Sequence, residues 1–465
     1  MVVTFSMRHP VTTCRWILPA LIAVFGLMLT GRVSAQPFKT LYSFGALPGG
    51  SEPNAGLALS GNTLYGTTYQ GGSSGFGTVF AVNTNGSGYT NLYSFTDGND
   101  GANPYAGLVL SGNTLYGTAL FGGSSNVGTV FAVNTDGSGF TNLYSFTGCT
   151  NGAYPSAGLV LSGNTLYGVT GAGIFAVNTD GSGFTNLYSF TNGSTNGSEA
   201  QCDGLILSGA TLYGIAGIGG TNAFGMTFAP PTNGFGIVFA ANTNGTGFTN
   251  LCTLSEGSDG TDPYAQLILS GNTLYGTTAR GGLSNNGTIF AVNTDGSGFT
   301  NLYTFTNGAD GSAPKPGLVL SGNTLYGTAS LGNNGIGTVF SINTNGTGFT
   351  TFYTFTGGSD GVLPFGGLIS SGNALYGTAA TGGSSGGGTV FSIMLPVPPQ
   401  LAITLSGAKV VLAWPTNASG FILESTAKLF PAAWSTNLTA PVVINGQIVV
   451  TNALSGTQRF YRLTQ

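Results

Sequence analysis

Gly107-Leu-Val-Leu-Ser-Gly-Asn-Thr-Leu-Tyr-Gly-Thr-Ala-Leu120, Gly128-Thr-Val-Phe-Ala-Val-Asn134 and Phe140-Thr-Asn-Leu-Tyr-Ser-Phe146 follow one another within residues 107–146. The first segment breaks at Gly112-Asn113, a tight-turn dipeptide, into two runs rich in β-formers, which predicts a hairpin. The turn Thr135-Asp-Gly-Ser-Gly139 separates the other two runs. Four strands, A to D, are therefore expected, and the glycine load and lack of a helical apolar period argue against helices.

Near copies of Ser-Gly-Asn-Thr-Leu-Tyr-Gly place tyrosines at Tyr65, Tyr116, Tyr167, Tyr213, Tyr275, Tyr326 and Tyr376, spaced by 51, 51, 46, 62, 51 and 50 residues. This period is too long for leucine-rich or ankyrin units and suits four-stranded propeller blades. The last copy stops after its third strand, near Met394, while an orphan strand D, Phe38-Lys-Thr-Leu-Tyr-Ser-Phe44, precedes the first copy. Joined, they complete a seventh blade. The expected fold is an all-β seven-bladed β-propeller, four strands per blade, closed by the N-terminal strand and followed by a small C-terminal β-sandwich-like module. An open β-solenoid is the alternative, and it leaves the orphan strand unexplained. Glycine opens strand A at Gly56, Gly107, Gly158, Gly204, Gly317 and Gly367, as crowding near an axis favours. Gln266 takes that place in the fifth copy, and its amide is expected in or near the central channel.

Arg8 and Arg15, the apolar run from Trp16 to Leu29 and Val33-Ser34-Ala35 have the layout of a cleavable secretory signal over residues 1–35. An uncleaved anchor is the alternative, but the run is short of the roughly 20 residues that span a bilayer. A secreted or cell-surface protein is expected, with no transmembrane segment in the mature chain. His9, the single histidine, falls in the signal, which leaves the mature chain without the commonest general base and metal ligand. Charged residues make up 5% of the chain, and 41% are hydrophobic, enough for a large core. Between Phe38 and Leu395 three basic residues, Lys39, Arg280 and Lys315, face thirteen acidic ones, which excludes nucleic acid as a natural partner. A monomer is expected.

Leu-Tyr-Gly-Thr, Gly-Thr-Val-Phe-Ala-Val-Asn-Thr-Asp-Gly-Ser-Gly-Phe and Leu-Tyr-Ser-Phe, repeated from Phe38 to about Leu395, resemble the bacterial GloVer (Gloeo/Verruco) tandem repeats. The unit also looks like a divergent kelch-type blade without the kelch tryptophan. The resemblance implies an exported protein of the choice-of-anchor type, with a variable C-terminal module, and it carries no catalytic residues onto this chain. The third copy departs from the pattern by its minimal B–C loop, the fourth by a long one containing Pro230-Pro231.

Residues 36–395 thus form the expected propeller and Pro396-Val-Pro-Pro399 a stiff linker. Residues 400–465 read as a separate β module with strands over 401–405, 409–414, 420–424, 442–444, 447–451 and 458–463, its core filled by Trp414, Trp434 and Tyr461. Such tails suggest surface attachment or sorting.

Alternating strand directions put the A–B and C–D turns on one face of the disc and the B–C and D–A loops on the other. The first pair barely varies between copies and the second varies freely, so recognition is expected on the second face. A proline recurs three residues before the strand A glycine, and the residue after it changes: Asn54, Tyr105, Ser156, Cys202, Tyr264, Lys315 and Phe365. These are expected around one mouth of the channel, with Gln70, Phe121, Arg280 and Thr381 added from the ends of strand B. Such a ring can stack on and hydrogen-bond an extracellular glycan, peptide or protein. The alternative is that its aromatic members cap the hydrophobic layer between blades.

Glu52, Asp97, Asp100, Glu199, Asp203, Glu256, Asp259, Asp262, Asp310 and Asp360 map to the same face. Calcium is their alternative use, although most sit in turn-favouring Asp-Gly or Asn-Gly steps; no other cofactor is expected. Cys149 and Cys202, in D–A loops entering adjacent blades, can pair if their α-carbons come within about 7 Å. Cys252 replaces the strand D tyrosine and is expected to be a small buried hydrophobe. The expected function is non-catalytic binding through the variable face. The alternatives are a carboxylate-based polysaccharide hydrolase or lyase, for which Asp203 is the least turn-like acid, and a purely structural or adhesive repeat.

Overall fold

The computed structural model describes residues 38–464 except 46–47, 149–151, 191–203, 218–219, 222–226, 229–235, 256, 333–334, 396–399, 417–421, 429–432, 437–438 and 454–458. The expected leader and linker lie outside the described residues. The described elements are all strands, with no helix and hence none able to cross a membrane. They fall into two compact units, residues 35–395 and, beyond the leader, 396–465.

The first unit consists of repeated four-stranded antiparallel sheets, consistent with a β-propeller. In the second repeat the strands are Val109–Ser111, Thr114–Ala119, Thr129–Asn134 and Thr141–Ser145, paired in sequence order. Seven such sheets occur among the described residues of this unit. In one of them the outer strand is the N-terminal Phe38–Ser43, which pairs antiparallel with Thr389–Met394 at the other end of the array. The long B–C loop of the fourth repeat also holds a hairpin, Gly220–Thr221 with Thr227–Phe228, that the sequence reading left as loop.

Strand B reads Leu-Tyr-Gly because both of its faces are covered. Leu115 packs with Tyr65, Phe95 and Val133 toward the preceding repeat, and Tyr116 packs with Phe146, Leu166 and Val177 toward the next. Period-two alternation thus sends successive side chains into two different interfaces. Gly117 lies under the ring of Phe131: a Cβ there would sit 2.6 Å from Phe131 Cζ and 2.7 Å from Leu108. The same Phe-over-Gly contact recurs in all seven copies.

Strand D carries a register shift in each repeat, as between Val130 and Phe131 on its partner. The shift leaves a leucine outside the ladder. Its carbonyl meets the C–D turn glycine of the following repeat, so a Cβ on Gly137 would lie 2.8 Å from Leu92 O. The turn is also held internally, because Asp136 Oδ1 accepts the Ser138 amide at 2.9 Å and its hydroxyl at 2.7 Å. Constant turn residues are therefore required both by their own hydrogen bonds and by the neighbouring repeat.

An aromatic ladder links the outer strands. Tyr42 stacks on Tyr89, Tyr93 on Phe140, Tyr144 on Phe184, Tyr188 on Phe248, Tyr303 on Phe349 and Tyr353 on Phe38, with centroids 3.7 to 4.1 Å apart and planes within 8°. The last step returns to the strand from which the first began. One rung differs: Cys252 stands where the others have tyrosine. It is half-buried rather than fully buried, and burial, then the charge of Asp259, pushes its thiol up to about 11. Cys252→Tyr is expected to restore a stack on Phe299 and a hydroxyl contact to Asp259, raising stability by about 1 kcal/mol. Urea unfolding checks this, and an unchanged or lower midpoint would count against the ladder.

The C-terminal unit has two sheets. Ala402–Ser406, Lys409–Pro415, Gln447–Ala453 and Val442–Ile444 form one, and Ile422–Thr426 with Phe460–Thr464 the other. Both contribute to one core: Val410, Leu412, Trp414 and Val450 from the first, Leu423 and Tyr461 from the second. Trp434 departs from expectation. It is half-buried and lies under Arg462, whose guanidinium is 4.2 Å from the ring centroid and also binds Glu424 at 2.7 Å.

Candidate functional site

Each D–A loop runs beside the end of its own strand B, through backbone bridges Ser51↔Gln70, Ala102↔Phe121, Thr261↔Arg280, Ser312↔Leu331 and Val362↔Thr381. Both variable segments therefore share one end of each sheet. The residue before the recurring proline adopts a left-handed backbone although it is never glycine: Glu52, Asn103, Tyr154, Asp262, Ala313 and Leu363 have φ between 51° and 58°. Such a conformation is costly for Leu or Ala and persists only where surroundings enforce it. Here the Asn103 amide donates to Phe76 O of the preceding repeat at 2.7 Å, while its carbonyl accepts Leu120 N of its own strand B at 3.3 Å. Glu52 makes the same pair across the two ends of the array, donating to Gly387 O at 2.9 Å and accepting from Tyr69 N at 2.9 Å. The next residue, proline, packs on the glycine that opens strand C of the preceding repeat; Gly388 meets Pro53 as Gly77 meets Pro104. This clasp fixes the variable residue that follows.

Most acids of this face are committed to the loops. Asp310 accepts the Thr306 amide at 2.7 Å, the Thr306 hydroxyl at 2.7 Å, the Gly308 amide at 3.0 Å and the Tyr303 hydroxyl at 3.1 Å. Asp100 and Asp360 are held alike, each by the tyrosine seven residues earlier and the threonine four earlier. Burial, then the charge and hydrogen bond of Asp310, pushes the Tyr303 hydroxyl up to about 12. Sequence reading missed this use, although the Tyr-x6-Asp spacing was visible. Among the described residues no three acids, histidines or cysteines gather where a metal could be held.

Burial opposes ionisation of Asp360, but the Thr356 hydroxyl and amide and the Tyr353 hydroxyl outweigh it and hold the carboxyl below its ordinary value, 3.8. A depressed folded value means stability that is full above that pH and lost as pH falls through the folded value. Asp360→Asn is therefore expected to be less stable than the wild type at neutral pH, with the gap closing below about pH 4. Urea midpoints across pH 2 to 7 check it, and a pH-independent gap would assign the loss to geometry alone.

The mouth residues come together in part. Lys315 Nζ lies 5.7 Å from the Tyr264 ring centroid and 5.1 Å from that of Phe365, so three successive repeats meet there. Arg280, with its side chain 72% exposed, is 3.4 Å from Asp262. Burial, against the charges of Arg280 and Lys315, raises the Asp262 carboxyl. Tyr105 contacts Tyr69 edge-on at 6.0 Å, and Phe121 contacts Tyr154 at 5.6 Å. Asn54, Tyr105 and Phe365 border a cavity of about 230 Å³ whose wall also includes Gly56, Gly107, Gly158, Gly317 and Gly367. Gln266 lines the same space, and its Nε2 donates to Leu205 O of the preceding repeat at 2.7 Å. Where glycine would leave the backbones to meet, the glutamine amide bridges them. Ser156 is half-buried behind Pro155, and Gln70 and Arg280 are exposed at the ends of strand B. Cys149, Cys202, Asp203, Glu199 and Glu256 lie outside the described residues.

Comparison with solved structures finds propeller-like neighbours. An ancestral GH74 enzyme matches with a TM-score of 0.50 at 14% identity, over 75% of this chain and 49% of that one. A GH74 enzyme from Niastella koreensis matches at 0.46 and 17%, over 86% and 60%. A protein of the nidogen/laminin complex matches at 0.39 and 13%, over 63% and 93%. This chain thus spans about half the length of the ancestral enzyme, and at such identities the likeness concerns the fold alone. No curated protein matches the sequence. The model of the Gloeobacter/Verrucomicrobia repeat matches residues 24–228 and 222–391. With that match running through every copy of the strand pattern, the chain belongs to the Gloeobacter/Verrucomicrobia repeat family.

Proposed function

We propose that the chain is an exported, non-catalytic seven-bladed propeller that binds a surface glycan or peptide through the face bearing its B–C and D–A loops. The residue 400–465 module, a small β-sandwich, serves attachment or sorting. Closure is supported by contacts that treat the last repeat and the first as ordinary neighbours: Thr378 Oγ1 donates to Ala55 O at 2.9 Å as Thr67 Oγ1 donates to Ala106 O at 3.2 Å. The binding reading rests above all on one observation. A rigid clasp repeated around the array presents a different side chain each time, and three of these, Tyr264, Lys315 and Phe365, converge. Turn-held acids such as Asp100, Asp310 and Asp360 favour binding over carboxylate catalysis, because catalytic carboxylates need to be available to a substrate.

A thermal-shift screen of residues 36–465 against glycans, peptides and calcium, with a chelator control, tests the proposal. Stabilisation by a glycan or peptide is expected. A response to calcium alone would return the acids to a metal role, and no response to any of the three would favour a structural repeat.

A further inference from the structure

Deepening the reading above and resting on it, we infer that the mouth takes an anionic pyranose, a sugar bearing a carboxylate or a sulfate, held by the rings of Tyr264 and Phe365 and the cations of Lys315 and Arg280. Charge placement carries the first half. Residues 38–395 hold thirteen acids and three bases. One base, Lys39, belongs to the constant face, where its Nζ donates to Asn85 O in a C–D turn at 2.7 Å. The other two sit on the variable face and act on one carboxylate, that of Asp262. Two cations against one acid leave a local positive charge on a strongly acidic protein, and burial of Asp262 weakens its hold on both. Such a spot draws an anion that the rest of the surface repels.

The rings carry the second half. Tyr264 and Phe365 present their faces to the Lys315 ammonium. An acidic pyranose offers a flat apolar C–H face for such rings and a charged group for the adjacent ammonium and guanidinium. Phe365 also borders the cavity, and there the Asn54 carboxamide brings both donor and acceptor for ring hydroxyls. A neutral sugar has no use for the cations, and an acidic peptide has no flat apolar face for two rings.

Calorimetric titration of residues 36–465 with tetragalacturonate, its methyl ester, sulfated cellotetraose, cellotetraose and hexaglutamate tests this. At least one charged sugar is expected to bind about tenfold or more tighter than its uncharged counterpart, and which one identifies the anion. Lys315→Gln is expected to remove that preference without lowering the melting temperature, and Lys315→Arg to keep it. Equal affinity for charged and neutral sugars overturns the charge inference and leaves the binding face standing. Binding of hexaglutamate alone overturns the sugar and leaves the face standing. No binding by any probe, or binding that Phe365→Ala leaves unchanged, overturns both.

Discussion

Removing residues 36–44, so that the chain starts at Gly45, is expected to abolish cooperative unfolding of the repeat unit. The lost strand contributes buried Leu41 and Phe44 to a core with Leu57, Phe80 and Val390. It also ends two stacks of the ladder, Tyr42 on Tyr89 and Phe38 on Tyr353. Truncating one buried Phe or Leu typically costs about 2–5 kcal/mol, so losing both exhausts much of the ~5–15 kcal/mol that stabilises a typical domain. The Thr389–Met394 strand would in addition become a bare edge open to aggregation. Circular dichroism during urea titration reads the outcome. An open array predicts instead that only one end frays, with the main transition intact. Restoration by a synthetic peptide of residues 36–44 added in trans would locate the effect in this strand.

Gly117→Ala is expected to cost about 2–3 kcal/mol, large for one methyl group. Gly117 is not among the glycines with left-handed backbone, so the cost is steric: its Cβ would enter the Phe131 ring at 2.6 Å. Phe131 is wholly buried and packs edge-on against Phe95 at 5.1 Å, which leaves the ring no room to retreat. Phe131→Leu in the same chain should relieve the clash, so the double variant is expected to be about 1–2 kcal/mol more stable than the two single losses predict together. Additive losses would mean that the glycine is there for another reason.

Strand order, repeat count and the pairing of Phe38–Ser43 with the last copy could be read from the chain, because alternation and turn dipeptides are local signals repeated many times. The paired loops of the variable face followed from strand direction alone. What escaped reading depends on contacts between copies. The Tyr–Phe stacks join residues 47 or more positions apart, as Tyr93 and Phe140 do, and no periodicity within one unit reveals them. The left-handed residue before proline was hidden because Leu363 and Ala313 carry no signature of that backbone. The acids were legible as turn formers, but their tyrosine and threonine donors were not, since these lie on the preceding strand D. At the mouth, register gave the positions, while the meeting of Tyr264, Lys315 and Phe365 required three dimensions.

The claim that recognition resides where the copies disagree, and scaffold where they agree, is tested most directly by ligand affinity in two matched variants. One carries Lys315→Ala with Phe365→Ala on the variable face, the other Asp136→Ala with Asp295→Ala in the constant turns. With the ligand identified by the thermal-shift screen, the first variant should lose binding at an unchanged melting temperature, and the second should bind as the parent does while melting earlier. Lost binding in the second with retention in the first would contradict the assignment of the two faces.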